Sequence, residues 1–367
     1  MTARRVLARP ARVAAGGFVR ARTRRWPRHS RLFAVGERTG WSVDEDARHV
    51  EASARRLGYL VGRPRWARFT TTQSVFLASH FEALQPRWLE STHSLGTAYL
   101  HGRPGTEGFP EFDWAFETLR ATPERFSRIQ VTHAEMRDLV LEAGAEPGSV
   151  HVIPIGVDIV HFPLVTAESR SAARARFGLS QDAFVIGSFQ KDGVGWGEGL
   201  EPKLIKGPDV LVAALRRVKA EISELHVLLT GPARGYVRRE LELAGIPYEH
   251  ALLSSRLELG TAYHAVDVCL VPARQEGGPK SVLESMAAGV PIVATRVGQA
   301  PDLVEDGANG WLVDVEDADG LADRTVAIYT GGAARVVGAA RATAERYTLE
   351  RLDPLWADLL DGFVERP

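Results

Sequence analysis

The sequence predicts an α/β protein of two doubly wound domains, each with a mostly parallel sheet. Three observations lead there. At 367 residues the chain is too long for one ordinary core. Short apolar runs alternate with amphipathic helical segments in two successive series. Between the series, at residues 158–171, the strand-like pattern lapses.

The first series opens with RLFAVG (31–36) as a strand and DEDARHVEASARRLG (44–58) as a helix with a glycine stop. SVFLAS (74–79), GTAYLH (96–101) and RIQVT (128–132) are short apolar runs ending in polar residues. AEMRDLVLEAG (134–144) reads as a helix and VHVIPIG (150–156) as a strand entering a loop.

The second series starts at AFVIGSF (183–189). PDVLVAALRRVKAEI (208–222) opens with proline, as a first helical turn permits, and keeps Leu211, Val212, Leu215, Val218 and Ile222 on one face. LHVLLTG (225–231) is a strand and ARGYVRRELELAG (233–245) a helix; DVCLVP (267–272), a helical segment and PIVAT (291–295) follow. At the end, RLDPLWADLLDGF (351–363) puts Leu352, Leu355, Trp356, Leu359, Leu360 and Phe363 on one stripe, which must pack on something; the expected place is the first domain. The domains expected are a basic, disordered tail at 1–30, a first domain at 31–165, a second at 166–348, and a terminal helix at 349–367 crossing back.

Hydrophobic residues make up 45% and charged residues 25%, the range of a soluble globular protein. One cysteine, Cys269, excludes a disulfide framework and fits a reducing cytosol. No apolar stretch is long enough to span a bilayer. Residues 1–31 hold ten arginines and no acid; removing these from the 45 basic residues leaves 35 against 46 acidic ones, about −11. The tail has no signal-peptide pattern. It reads as a solvated start, or else as a foot on anionic lipid, each arginine adding roughly 1 kcal/mol near the surface. The other arginines are interleaved with acids, so no nucleic-acid partner is expected.

The chemistry concentrates in EGGPKSVLESMAAGVPIVAT (276–295), directly after VCLV. Ligands of open parallel sheets bind outside the carboxyl ends of the strands. Gly277 and Gly278 let backbone approach a ligand, and Pro279, Lys280 and Ser281 open a helix whose free N–H groups suit a phosphate. Glu276 precedes that helix and Glu284 lies in its second turn, tilted back toward its start. Carboxylates are poor partners for phosphate but good acceptors for hydroxyls, so the combination points to a nucleotide sugar. On a plain structural reading Glu276 is a solvated loop residue and Glu284 a charge serving the helix dipole.

The stretch at 271–322 resembles the nucleotide-sugar site of family 4 glycosyltransferases, with IPIGVDIVHF (153–162), KGPDVLVAAL (206–215) and LLTGP (228–232) agreeing in order. The resemblance covers nearly all of 150–330 and, more loosely, 31–149. It implies the GT-B fold, two Rossmann-like domains facing across a cleft, and a retaining enzyme. It also implies that Glu276 holds hydroxyls of the donor sugar, Glu284 the ribose hydroxyls, Gly277 and Gly278 the sugar and diphosphate, and Lys206 the diphosphate. A fixed cation beside a leaving diphosphate makes physical sense by itself, because charge grows there in the transition state.

One position departs. The family's arginine after the glycine of the second domain's first strand, here Gly187, is replaced by Ser188, inside the long loop GSFQKDGVGWGEGLEPKLIKGPD (187–209). Lys191 or Lys203 is expected to supply the cation, or the loop to close over the donor. In the first domain His101 resembles the family's cleft histidine that contacts the transferred sugar, and His80 ends another strand similarly. Arg103 and the loop at 36–46 are candidates to face donor or acceptor, and Arg234 either reaches the base or is solvated.

The expected function is transfer of a sugar from a nucleoside-diphosphate sugar to a glycan, lipid-linked or small-molecule acceptor, with retention. Glu276, His101 and Lys206 are the catalytic candidates; Glu284, Gly277, Gly278, Pro279, Lys280, Ser281, Lys191, Gly187 and Ser188 are the donor-binding ones. No Cys/His cluster or carboxylate motif suggests a metal, so no cofactor is expected. The expected setting is the cytoplasm, with peripheral contact at the inner face of the membrane through the basic tail. The alternatives are a nucleotide-sugar epimerase of the same fold, or a non-catalytic nucleotide-sugar-binding scaffold, which Ser188 favours.

Overall fold

A computed structural model describes residues 26–38 and 42–367. The calls on the first 25 residues of the basic tail, and on 39–41 of the loop at 36–46, lie outside the described residues. Contacts divide the chain into one unit running to Ile153 together with Leu352–Pro367, and a second unit, Pro154–Arg351.

The first unit holds five parallel strands in sequence order: β1 (Leu32–Val35), β2 (Ser74–Leu77), β3 (Ser94–Ala98), β4 (Phe126–Val131) and β5 (Val150–Val152). Alternate side chains face opposite ways. Phe33, Val35, Val75, Leu77, Leu95, Ile129 and Val131 build one core. On the other face Phe76 meets Trp356 edge-on at 5.6 Å. Trp356 belongs to the terminal helix Asp353–Leu360, which thus returns to the first sheet. Arg128 closes that helix, donating to the carbonyls of Leu359 at 2.8 Å and Asp361 at 2.6 Å. Leu352, Trp356, Leu359, Leu360 and Phe363 are buried as expected; Leu355 is 40% exposed, outside the stripe.

The second sheet has the order β11-β10-β9-β6-β7-β8, with every pair parallel. Its strands are β6 (Phe184–Ser188), β7 (Leu225–Thr230), β8 (Tyr248–Ala251), β9 (Val268–Val271), β10 (Ile292–Thr295) and β11 (Trp311–Val313). Alternation again splits the side chains between two cores. Val185, Cys269, Val271, Ile292 and Ala294 lie in one; Phe184, Ile186, Val268, Leu270 and Val293 lie in the other. Both faces of this sheet are therefore covered, as an all-parallel sheet requires.

The junction needs correcting: it falls at residue 153/154, not in the patternless stretch that follows. Residues 154–165 were expected in the first domain, and their apolar residues follow neither period. Val157 and Phe162 nevertheless belong to the second unit's core, and Val165 N–H donates to the Ala288 carbonyl.

Candidate active site

The order of the second sheet reverses between β6 and β9, which are paired neighbours, and the crevice outside their carboxyl ends is where such sheets bind ligands. The end of β6 (Ser188), a tight turn at Leu204–Lys206, the loop after β9 and the helix Lys280–Ala288 supply the residues there.

The turn is pressed onto the end of β9. Gly207 has φ 64°, and a Cβ at that position would lie 1.9 Å from the Pro272 carbonyl oxygen, so only glycine fits. Arg274 pins the turn from the β9 side. Its N–H donates to Ile205 O, and its guanidinium donates to Leu204 O and to both carboxylate oxygens of Asp209, at 2.7 Å each. These bonds to Asp209 raise the guanidinium above its ordinary pKa. So held, Lys206 Nζ sits 2.5 Å from Glu276 Oε1, the two side chains being 20% and 15% exposed. The plain reading of Glu276 as solvated is excluded.

Gly277 O accepts from Gln299 N–H at 3.1 Å, and a Cβ on Gly278 would come within 2.7 Å of the Gln299 side chain. Gln299 in turn exchanges two bonds with the Ile155 backbone, at 2.8 and 3.1 Å. The glycine turn is therefore a fixed support for Glu276. Pro279 precedes the helix and makes no side-chain cap to its first turn.

Glu284 is buried, 3% exposed, and its carboxylate is engaged on both oxygens. Oε1 pairs with Arg256, and Oε2 accepts from Tyr263 OH at 2.9 Å. Tyr263 also reaches Ser281 O at 3.4 Å, and burial pushes its hydroxyl pKa well up. Arg256 lies over the Phe162 ring, 5.2 Å from its centroid. Glu276 and Glu284 are thus each held by a different cation. Sequence reading missed Arg256 and Tyr263; they sit on the helix Arg256–Ala265, which carries no motif.

Gly187 lies inside β6, where a Cβ would meet Phe189 at 2.9 Å, so packing accounts for it. Ser188 is 0% exposed. Its carbonyl and hydroxyl oxygens both accept from Arg234, at 2.7 and 3.0 Å. Arg234 is neither solvated nor reaching outward: its side chain and that of Asp192 are wholly buried, paired at 2.9 Å. Burial pushes the Asp192 pKa up and the Arg234 pKa down. A guanidinium from the loop after β7 therefore stands at the Ser188 position, with Asp192 neutralising it. Lys191 remains beside the turn: burial, and then the Lys206 charge, lower its pKa. Its ammonium donates to Gly193 O at 2.9 Å and lies 5.0 Å from the Trp196 ring centroid. Lys203 instead uses its backbone, N–H to Asp192 O at 2.8 Å.

In the first unit β3 stops at Ala98, so His101 lies in the loop beyond it, half-buried, edge-on to Phe112 and His80. His80 does not end β2; it opens the short helix His80–Ala83 and is buried, its ring stacked 4.1 Å from Tyr99. Desolvation lowers its pKa to about 3, against a weaker pull from a backbone hydrogen bond at Ala98. Arg103 pairs with Glu135 at the surface.

Among the described residues no group of three or more His, Cys, Asp or Glu side chains is placed to hold a metal ion, and no helix is long and apolar enough to cross a membrane.

A family described as glycosyl transferases group 1 matches residues 198–330. The chain is 33% identical over 253 residues to a D-inositol 3-phosphate glycosyltransferase of Xylanimonas cellulosilytica, covering 65% of this chain and 56% of that protein. It is 30% identical over 251 residues to the enzyme of the same name from Saccharomonospora viridis, covering 62% and 53%. The chain spans about half the length of these curated relatives. Among solved structures, Anabaena Alr3699/HepE in complex with UDP-glucose superposes with a TM-score of 0.72 at 17% identity, over 90% of this chain and 99% of that one. Sucrose-phosphate synthase from Thermosynechococcus elongatus gives 0.69 at 17%, over 90% and 98%. The chain thus has the GT-B fold, and its segment 198–330 is similar to the group 1 glycosyltransferases.

Proposed function

We propose that this protein transfers a sugar from a nucleoside-diphosphate-sugar donor to an acceptor, with retained anomeric configuration. The observation that carries the reading is the Lys206–Glu276 pair at the switch point, with Lys191 beside it. Glu276 is paired with Lys206, the Lys191 ammonium donates to the Gly193 carbonyl, and Asp192 is committed to Arg234. That surplus of positive charge suits a diphosphate.

In the proposed reaction the bond between the anomeric carbon and the diphosphate oxygen breaks as the acceptor hydroxyl attacks the same face. The departing diphosphate takes the acceptor's proton. Lys206 and Lys191 stabilise the charge growing on it, helped by the first-turn N–H groups of the helix Lys280–Ala288. Glu276, released from Lys206, accepts hydrogen bonds from the sugar hydroxyls. Glu284 accepts from the ribose, and His101 orients the transferred sugar. No step in this scheme uses a metal, so turnover is expected to survive EDTA. The relatives' name makes a small sugar-phosphate-like acceptor one candidate beside a glycan or lipid-linked one. The cytoplasm, with the basic tail on an anionic membrane face, is the setting proposed; the lone buried Cys269 is in keeping with it.

The test is a thermal shift of the full chain against UDP, GDP, ADP and their sugars, followed by product analysis by NMR. A selective shift and an α-linked product from an α-linked donor are expected. No shift with any nucleotide overturns the reading. Binding without transfer to any acceptor or to water would instead establish a non-catalytic binding protein, and donor conversion without acceptor an epimerase.

A further inference from the structure

The loop between Lys191 and Lys206 is a small hairpin with a fixed neck and an open tip. Gly193 and Pro202 bridge antiparallel, Val194 N–H donates to Glu201 O at 2.9 Å, and Lys203 N–H donates to Asp192 O at 2.8 Å. The neck is wedged on the chain after β7. A Cβ on either Gly193 or Gly199 would lie 2.3 Å from the Ala233 carbonyl oxygen, and Gly235 and Tyr236 donate backbone bonds to Glu198 and Gly199. Beneath it lies the buried Asp192–Arg234 pair. The tip differs. Nothing lies within 4 Å of where a Cβ on Gly195 or Gly197 would stand. Between these two glycines Trp196 is 57% exposed, and Val194 and Leu200 on either side are 44% and 53% exposed.

Such a tip has an unburied apolar load and two glycines free to change φ and ψ. Lys191, beside the Lys206 turn, faces the tip: its ammonium lies 5.0 Å from the centroid of the Trp196 ring. A cation–π contact at an exposed ring is weaker than a charge-assisted bond to phosphate. An anion beside Lys206 therefore draws Lys191 away from the indole.

We propose that residues 195–197 close over a bound nucleoside diphosphate, Lys191 passing from the Trp196 ring to a phosphate oxygen and Trp196 burying itself against the ligand. The proposal rests on the donor-site reading above. It makes Trp196 a ligand-contacting residue and the loop an added cover whose neck does not move.

The test titrates UDP, GDP and ADP into the full chain and into Trp196→Phe, following heat by calorimetry and tryptophan fluorescence in parallel. The substitution lies at an exposed tip, so folding is expected to be unaffected. For the nucleotide that binds, the wild type is expected to change in fluorescence, while Trp196→Phe gives heat without that change. Lys191→Met is expected to bind about tenfold more weakly and to lose the fluorescence response. Heat with no fluorescence change in the wild type, or with the same change in Trp196→Phe, overturns the closing tip and leaves the donor site standing. No heat with any of the three nucleotides overturns the donor site, and the closing tip with it.

Discussion

Arg234 reaches from the loop after β7 to the last residue of β6, donating to both the carbonyl and the hydroxyl oxygen of Ser188. Ser188, where the resemblance implied an arginine, is here the acceptor for an arginine arriving from elsewhere. That arginine is locked by Asp192 in a fully buried pair. The pair is therefore a structural joint between β6, β7 and the hairpin neck.

Breaking it should be costly. Arg234→Met leaves Asp192 buried without its cation, and a loss of about 3–5 kcal/mol in denaturant-melt stability is expected. Arg234→Met combined with Asp192→Leu removes both charges and should recover most of that loss. If the single variant melts like the wild type, the buried joint is wrong.

Glu276→Gln keeps the shape and the hydrogen-bonding reach of the side chain but removes the charge that faces Lys206. A fall in kcat of about 100-fold is expected, with folding stability changed by no more than about 1 kcal/mol. Steady-state turnover and the melting curve should be read on the same preparation. Unchanged turnover would remove Glu276 from the mechanism.

The twin acids look alike in the sequence and differ in the structure. Glu284 is buried between Arg256 and Tyr263, so Glu284→Ala confounds folding with binding. Glu284→Gln is the sharper probe. As a ribose anchor it should weaken UDP, GDP or ADP by about tenfold while leaving pyrophosphate affinity unchanged, because pyrophosphate has no ribose. Equal weakening of both ligands would make Glu284 a support for the helix.

What could be read in advance follows from how local each signal is. The strand cores and the helix from Lys280 are short-range patterns and were legible, though not where β2 and β3 end. So was the terminal helix, whose apolar stripe demanded a partner. The edge strand Tyr248–Ala251 was not, because YEHA has no apolar alternation and is only half-buried. Arg234 was illegible for another reason. A charged residue after Gly-Pro reads as surface, and its burial depends on Asp192, 42 positions away, and on the close approach of Gly193 and Gly199 to Ala233. Arg256 and Tyr263 are likewise recognisable only once their helix is laid against Glu284.

His80 supplies a pH signature for the first unit. Its folded-state pKa is about 3, against an ordinary 6.5, because burial against Tyr99 and Phe81 disfavours the charged ring. Between those values the unfolded chain holds a proton that the folded chain does not. Its contribution is therefore intact above pH 6.5 and lost as pH falls toward 3, at about 1.4 kcal/mol per pH unit. His80→Phe keeps an aromatic ring in the stack and removes the titration. Comparing the two proteins by denaturant melts from pH 7 to pH 4 subtracts the carboxylates they share. The wild type should lose stability faster than the variant, the gap widening steadily through that range. Parallel curves would mean that the ring accepts its proton inside the folded unit.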